Sequence, residues 1–291
     1  IVPPVTGTTL QNANSQKVAT LTGDYKYLTI KGPTEEYHIK RSVDGYVGYK
    51  VAIALIQEDA VQGGDIINDT TGVIDFRGER SIGLYTYLPN PTTGNVYSKR
   101  PMTNKGNILL SGAESYGMKY AATESAGTVT FVNDTTGTIT LRKNPNGNDK
   151  ADNAAAMALM RDNSVTTKVT LTRGKAINKG NINLEDNVSN AIKVSAIAPK
   201  VSNKYQFNVA MRADQADIAY EGTNTKDTEV INKNSIKLTG QGAIGMIANG
   251  SSTSGTNTKH AIATNNAGAT IDIDKEGTSE SKDNFGMLAT N

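Results

Sequence analysis

The sequence predicts an all-β protein, a right-handed parallel β-helix (a β-solenoid with three strands per coil) interrupted by loop insertions. Three observations predict it. A three-part motif recurs along most of the 291 residues. Its first turn comes in two lengths around an otherwise constant strand scheme. The composition, with 28 Gly, no Trp and only 5% aromatics, suits many short strands joined by turns better than an aromatic-centred core.

The first part of the motif is a short strand ending in Asn: Ile66-Ile67-Asn68, Met102-Thr103-Asn104, Phe131-Val132-Asn133, Ala176-Ile177-Asn178, Val230-Ile231-Asn232 and Ala263-Thr264-Asn265. After a turn comes an alternating apolar pair: Ile74/Phe76, Ile108/Leu110, Ile139/Leu141, Ile182/Leu184, Ile236/Leu238 and Ile271/Ile273. After a second turn comes a small residue followed by an apolar one: Gly83-Leu84, Gly117-Met118, Ala156-Met157, Ala191-Ile192, Gly245-Met246 and Gly286-Met287. An additional Ala210-Met211 belongs to this third class and predicts one more coil whose other strands have drifted.

Side chains alternate across a strand, so each paired set puts its apolar residues on one face. One coil cannot bury that face alone, whereas a stack of coils can. Coils ~4.8 Å apart would then be joined by parallel ladders, with inward rows of Ile, Leu and Met and a hydrogen-bonded row of Asn. Right-handedness follows from the strong bias of parallel crossovers.

Asn68, Asn133 and Asn265 lie six residues before their Ile; Asn104, Asn178 and Asn232 lie four before theirs. A corner that tolerates a two-residue insertion explains both lengths. Gly, Asn and Asp at these corners are expected to supply positive φ. The Gly or Ala before each Met is expected to leave room where the third side packs against the interior.

Residues 61–291 are assigned to the repeats and 1–60 to an N-terminal lead-in with a capping or degenerate coil, the atypical terminal repeat a stack needs. Ile1 to Gln16 read as an extended, poorly ordered lead-in. Gly45 to Ala52 read as a degenerate copy, with Gly48 to Ala52 matching Gly117 to Ala121. Two stretches carry helix propensity. Ala156 to Leu159 is kept as strand because Ala156-Met157 is in phase, while Ala52 to Asp59 is expected to be helical. The chain opens without Met and stops inside a copy of the motif, which predicts a piece of a longer polypeptide.

Several function classes are disfavoured. The net charge of +2 forms no basic block, so nucleic acid is not expected as a partner. The absence of Cys excludes disulfides and thiolate metal sites. No apolar run reaches the ~18 residues that span a bilayer, so no membrane insertion by these residues is expected. His38 and His260 stand alone, and no cofactor or metal is expected. Polysaccharide-cleaving β-helix enzymes need two carboxylates within ~5–10 Å. The outward positions between the paired apolar residues are Asp75, Leu109, Thr140, Asn183, Lys237 and Asp272, and no two adjacent coils place a carboxylate there. The N-x-S/T matches at Asn68, Asn133, Asn187 and Asn249 mostly coincide with repeat corners and read as turn chemistry rather than glycosylation sites.

The clearest insertions are Tyr85 to Arg100, Arg142 to Asn153, Ser195 to Thr228 and Asn249 to His260. In a solenoid, insertions leave the stack on one face, often the binding face. The first holds Tyr85, Tyr87, Tyr97, Lys99 and Arg100; the third holds Tyr205 and Phe207. Tyr and Arg on loops supply contact area and polar recognition. The competing reading is that these rings pack the loops back onto the solenoid. Both stay open on sequence alone.

The pattern N-x-G-x-I-x-L-x-G-x-x-S-x-G-M-x-A is carried by Asn104–Ala121, Asn178–Val194, Asn232–Ala248 and Asn265–Ala289. It resembles the repeat of the fusobacterial type V autotransporter adhesins, the RadD-like passenger domains, over roughly residues 60–291. That resemblance implies a secreted passenger displayed outside the cell by a C-terminal outer-membrane barrel; a monomer is expected. It implies attachment to a surface protein or glycan of another bacterium or a host cell, without catalysis. The alternatives are a polysaccharide-acting β-helix lyase or hydrolase and a purely structural stalk.

Overall fold

The computed structural model describes residues 8–13, 16–21, 27–31, 38–41, 45–48, 50–56, 65–77, 81–87, 102–121, 129–142, 154–159, 174–185, 207–214, 228–249, 261–273 and 284–290. All of the regular structure there is β. An opening strand β1 (Thr8–Ala13) precedes a first coil of β2 (Gln16–Leu21), β3 (Tyr27–Lys31) and, after the short pair β4 (His38–Arg41) and β5 (Gly45–Gly48), β6 (Lys50–Ile56). The second coil is β7 (Asp65–Asn68), β8 (Val73–Arg77) and β9 (Ser81–Tyr87); the third is β10 (Met102–Asn104), β11 (Asn107–Ser111) and β12 (Tyr116–Ala121). The fourth is β13 (Val129–Asn133), β14 (Thr138–Leu141) and β15 (Ala155–Leu159); the fifth is β16 (Gly174–Asn178), β17 (Asn181–Leu184) and β18 (Asn208–Asp214). The sixth is β19 (Thr228–Asn232), β20 (Ser235–Leu238) and β21 (Ala243–Asn249); the seventh is β22 (Ala261–Asn265), β23 (Thr270–Ile273) and β24 (Phe285–Thr290).

Strands of like position pair coil to coil, in parallel, into three sheets: β2-β7-β10-β13-β16-β19-β22, β3-β8-β11-β14-β17-β20-β23 and β6-β9-β12-β15-β18-β21-β24. The fold is therefore a parallel β-helix with three strands per coil. The register is the one the repeats predict, for example Asn104 with Asn133 and Ile108 with Ile139. Ile74, Ile108, Ile139, Ile182 and Ile236 are all at 0% exposure, as are Met118, Met157, Met211 and Met246. Volumes compensate between coils on the first side, where Phe131 sits beside the small Ala176.

The third strand departs from strict alternation. Ala154, Ala156, Met157 and Leu159 join the central core, whereas Ala155 and Ala158 join a separate cluster with Tyr85 and Phe207. Two successive residues face inward, and the first must be small. A Cβ on Gly117 would lie 2.6 Å from both the Ala156 carbonyl oxygen and Ile139 Cγ2, and one on Gly245 would lie 2.5 Å from the Gly286 carbonyl oxygen. This is the physical content of the recurring small-residue–Met pair.

Four expectations are corrected. Lys50–Ile56 is strand, paired with β9, so Ala52 to Ile56 is not helical: its alternating Val51, Ile53 and Leu55 match a sheet position, and tertiary pairing overrides propensity. That pairing sets Val51 against Ile82 and Ile53 against Leu84, so Ala52 and not Gly48 stands in the small-residue position of the first coil; Gly45–Gly48 instead pairs antiparallel with β4. Ala210-Met211 lies in β18, between β15 and β21, and supplies the third side of the fifth coil; it adds no further coil. Ala191-Ile192 lies outside the described residues. Finally, Thr8–Ala13, expected as part of a poorly ordered lead-in, is a strand paired antiparallel with β2.

Four of the corner glycines are needed for a different reason than expected, whereas Gly268, in the corner 266–269, has the positive φ that was expected. Among the described residues, positive φ at glycine is confined to Gly112, Gly174, Gly242 and Gly268. Gly72, Gly106, Gly137 and Gly180 are required by close approach. A Cβ on Gly137 would lie 2.3 Å from Asn133 Oδ1 and 2.5 Å from the Asn104 carbonyl oxygen.

Those glycines close the corner over a continuous amide ladder. Asn68 Nδ2 donates to Asn104 Oδ1 at 2.7 Å, and Asn104 to Asn133, Asn133 to Asn178, Asn178 to Asn232 and Asn232 to Asn265 follow at 2.8 Å each. The second amide hydrogen goes to corner carbonyls such as those of Gly106 and Thr270. The ladder starts at Asn68 because its first-coil partner in register is Leu21, which has no amide to offer; Asn68 Oδ1 is accordingly buried without a partner.

Candidate binding face on the third sheet

The corner between the first and second sheets is short in the six coils that follow the first: residues 69–72, 105–106, 134–137, 179–180, 233–234 and 266–269. Every long insertion after β6 lies at one end or the other of a third-sheet strand. Residues 88–101, 122–128, 160–173, 215–227 and 250–260 follow one; residues 142–154, 185–207 and 274–284 precede one. The insertions thus converge on the third sheet by topology. The Asn ladder explains the asymmetry, since lengthening its corner by more than two residues would break the stacked amides.

The outer face of the third sheet carries two rows. Ile82, Tyr116, Ala155, Val209, Ile244 and Phe285 form one, and Tyr85, Lys119, Ala158, Arg212, Ile247 and Leu288 the other, each in register from coil to coil. Ala155 and Ala158 form a low floor between the longer side chains of the third and fifth coils. On one side of it Lys119 Nζ sits 4.7 Å from the Tyr116 ring centre and 6.0 Å from that of Tyr85, within cation–π range. On the other side Arg212 grips Asp214 through Nε and Nη2, each at 2.8 Å, a bidentate charge-assisted pair. Burial opposes the Arg212 charge, but Asp214, by charge and hydrogen bond, and Tyr116 more than offset it, so its pKa is raised. The two carboxylate oxygens of Asp214 are occupied by that guanidinium.

The residues singled out in the sequence fall into three groups. Tyr85 and Tyr87 are not loop residues: β9 runs to Tyr87, held on both sides by β6 and β12. Tyr85 is 1% exposed, and Phe207, just before β18, is 7% exposed and packs edge-on against Phe285 with ring centres 6.1 Å apart. The fold brings these two onto the same face. Tyr97, Lys99, Arg100 and Tyr205 lie outside the described residues. Tyr116, Lys119, Arg212 and Asp214 were missed. The signal for Tyr116, Lys119 and Arg212 was present: they occupy the positions immediately before the small residue and two after it, which face outward once two consecutive inward residues are recognised.

On the second sheet, Asp75, Leu109, Thr140, Asn183, Lys237 and Asp272 do form one outward row. Asp75 is bound by the Arg142 guanidinium, which reaches over the intervening coil. Asn68 and Asn133 are fully buried in the ladder, consistent with turn chemistry. Among the described residues no three His, Cys, Asp or Glu side chains gather as a metal site would require, and no helix is long and apolar enough to cross a membrane. No protein-family model, curated protein or solved structure matches this chain.

Proposed function

We propose that the chain is part of a non-enzymatic adhesin passenger, displayed outside the cell, whose insertions around the third sheet recognise a surface protein or glycan of another cell. The observation that supports this reading is the segregation of long insertions from the short corner. One edge of the triangular coil is fixed by the Asn ladder, while both ends of the third sheet accept long, unrelated segments. A scaffold that holds variable loops on one side is the usual design of a recognition solenoid. The insertion at 88–101 carries Tyr97, Lys99 and Arg100, residue types that favour contact surfaces.

The test is deletion of residues 88–100, which spares β9, followed by binding to whole cells and to a glycan array. Lost binding with an unchanged far-ultraviolet circular dichroism spectrum is expected. Unchanged binding by a folded deletion overturns the loop assignment. One observation favours a stalk instead: of the aromatic side chains described on this face, Tyr85, Tyr116 and Phe207 are buried and Phe285 is partly buried, which leaves little aromatic contact area. A stalk would show no binding in the intact chain either.

A further inference from the structure

The outward face of the first sheet carries an unbroken row of β-branched side chains, Ile67, Thr103, Val132, Ile177, Ile231 and Thr264, in register from coil to coil. All six are half-exposed, whereas Ile82, Ile244 and Ile247 on the outward face of the third sheet are buried. A second column lies beside this row at the tight corner, one residue after each ladder Asn. Its backbone N–H groups donate to the Asn carbonyl of the preceding coil, which fixes their register. From the second to the fifth coil the column reads Asp69, Lys105, Asp134 and Lys179, so its charge alternates. The corners alternate in step: 69–72 and 134–137 are long, 105–106 and 179–180 short.

We infer that this face binds a second copy of the chain, turned end over end about a two-fold axis that runs along the strands between the third and fourth coils. The rotation lays the third coil of one copy on the fourth of the other, and the second on the fifth. Every charge in the column then meets its opposite: Lys105 faces Asp134 and Asp69 faces Lys179, each twice by symmetry. Each long corner meets a short one, so the corners interlock. Beside them Ile67 covers Ile177 and Thr103 covers Val132, which takes the apolar row out of water. Moving the axis one coil further on would set Lys105 against Lys233, so the charge pattern selects one register. Within the chain the same alternation gives Lys179 and Asp134 a 3.8 Å contact, which between partly exposed groups contributes little. The four matched coils span roughly 19 Å, a narrow strip that places the pair among weak, transient complexes. The dilute chain is therefore monomeric. Pairing of this kind is independent of what the insertions bind.

The test is sedimentation velocity of the full chain up to millimolar concentration, at low and high salt. Reversible dimerisation that weakens with salt is expected. Asp69→Lys and Lys179→Asp should each weaken it about tenfold, because each replaces two attractive contacts with two repulsive ones. Mixing the two variants, or combining both changes in one chain, should restore the dimer. Residues 69 and 179 lie three coils apart within one chain, roughly 14 Å and beyond ion-pair reach, so restoration reports contact between copies. Asp69→Asn keeps the side-chain oxygen that accepts from the Thr70 N–H, and guards against a folding defect in Asp69→Lys. It should weaken the dimer severalfold while thermal unfolding stays unchanged. A chain that remains monomeric throughout, a dimer indifferent to the single changes, or one that the paired changes fail to restore overturns the inference.

Discussion

Asn104 Nδ2 lies 2.8 Å from Asn133 Oδ1, in a corner where both side chains are fully buried. Each amide in this ladder after Asn68 both gives and takes, so the bonds run in one direction through the stack and can polarise one another. The arrangement explains why the first strand of each of the six coils from Asn68 onward ends in Asn and not in Asp or Gln. Asp could not donate, and Gln would push the amide past the carbonyls it satisfies.

Removing an interior rung is expected to cost more than removing the first one. Asn133→Ala strands Asn104 Nδ2 and Asn178 Oδ1 together, and each buried unsatisfied group costs about 1–3 kcal/mol, giving roughly 3 kcal/mol in all. Asn68→Ala strands only Asn104 Oδ1 and also removes an acceptor that already lacks a partner. Its cost should be about half as large. Urea denaturation of the two variants, with hydrogen exchange at the corner amides, checks the ordering; equal losses would remove the ladder as the cause.

Gly137→Ala is expected to destabilise by about 1–3 kcal/mol through overpacking, although its φ is ordinary. The added methyl meets the Asn133 side-chain oxygen at 2.3 Å and the backbone oxygen of Asn104 at 2.5 Å, and the latter cannot move without opening the coil spacing. Thermal unfolding of this variant beside Gly286→Ala, which should stay within ~0.5 kcal/mol of the parent, separates close approach from backbone freedom.

The Arg142–Asp75 pair spans two coils across Leu109 and joins residues 67 apart in sequence. Asp75 is 2% exposed and Arg142 19%. Arg142→Met should cost about 2 kcal/mol, in the range for a hydrogen bond to a charged partner, because the carboxylate keeps its burial and loses this guanidinium. The double variant with Asp75→Leu should recover much of that loss. A double-mutant cycle with zero coupling would show the pair to be incidental.

Phe207→Ala is expected to lower stability by about 3 kcal/mol, as a buried aromatic does, through lost packing against Phe285. Binding per folded molecule should be unchanged. A fall in binding without a fall in stability would instead make Phe207 a recognition residue, contrary to its burial.

Much of the fold was legible before any coordinates. The positions of Ile74, Ile108, Ile139, Ile182 and Ile236 define an inward row by alternation alone, and the recurring Asn announced its own ladder. The first coil was harder to read. Val51 and Ile53 lack the Gly-Met signature, and their local propensity pointed to helix until pairing with β9 decided otherwise. The candidate site was legible only in part. Tyr85 looked like the start of a loop because nothing in the sequence marks where β9 ends, and Tyr116, Lys119 and Arg212 looked like repeat filler.

The sequence by itself determined the number of sides per coil, the inward rows and the residues at the tight corner, because these follow from periodicity along the chain and each copy repeats the evidence. Only the tertiary structure decided which coil owns Ala210-Met211, why Gly137 and Gly117 must be glycine, and that Asp75 meets Arg142 and Arg212 lies across the alanine floor from Lys119. Those facts depend on contacts between successive coils. Even the ladder partners lie 29 to 54 residues apart, joined by insertions of unequal length. Local pattern carries no information about such separations until the stack sets the register.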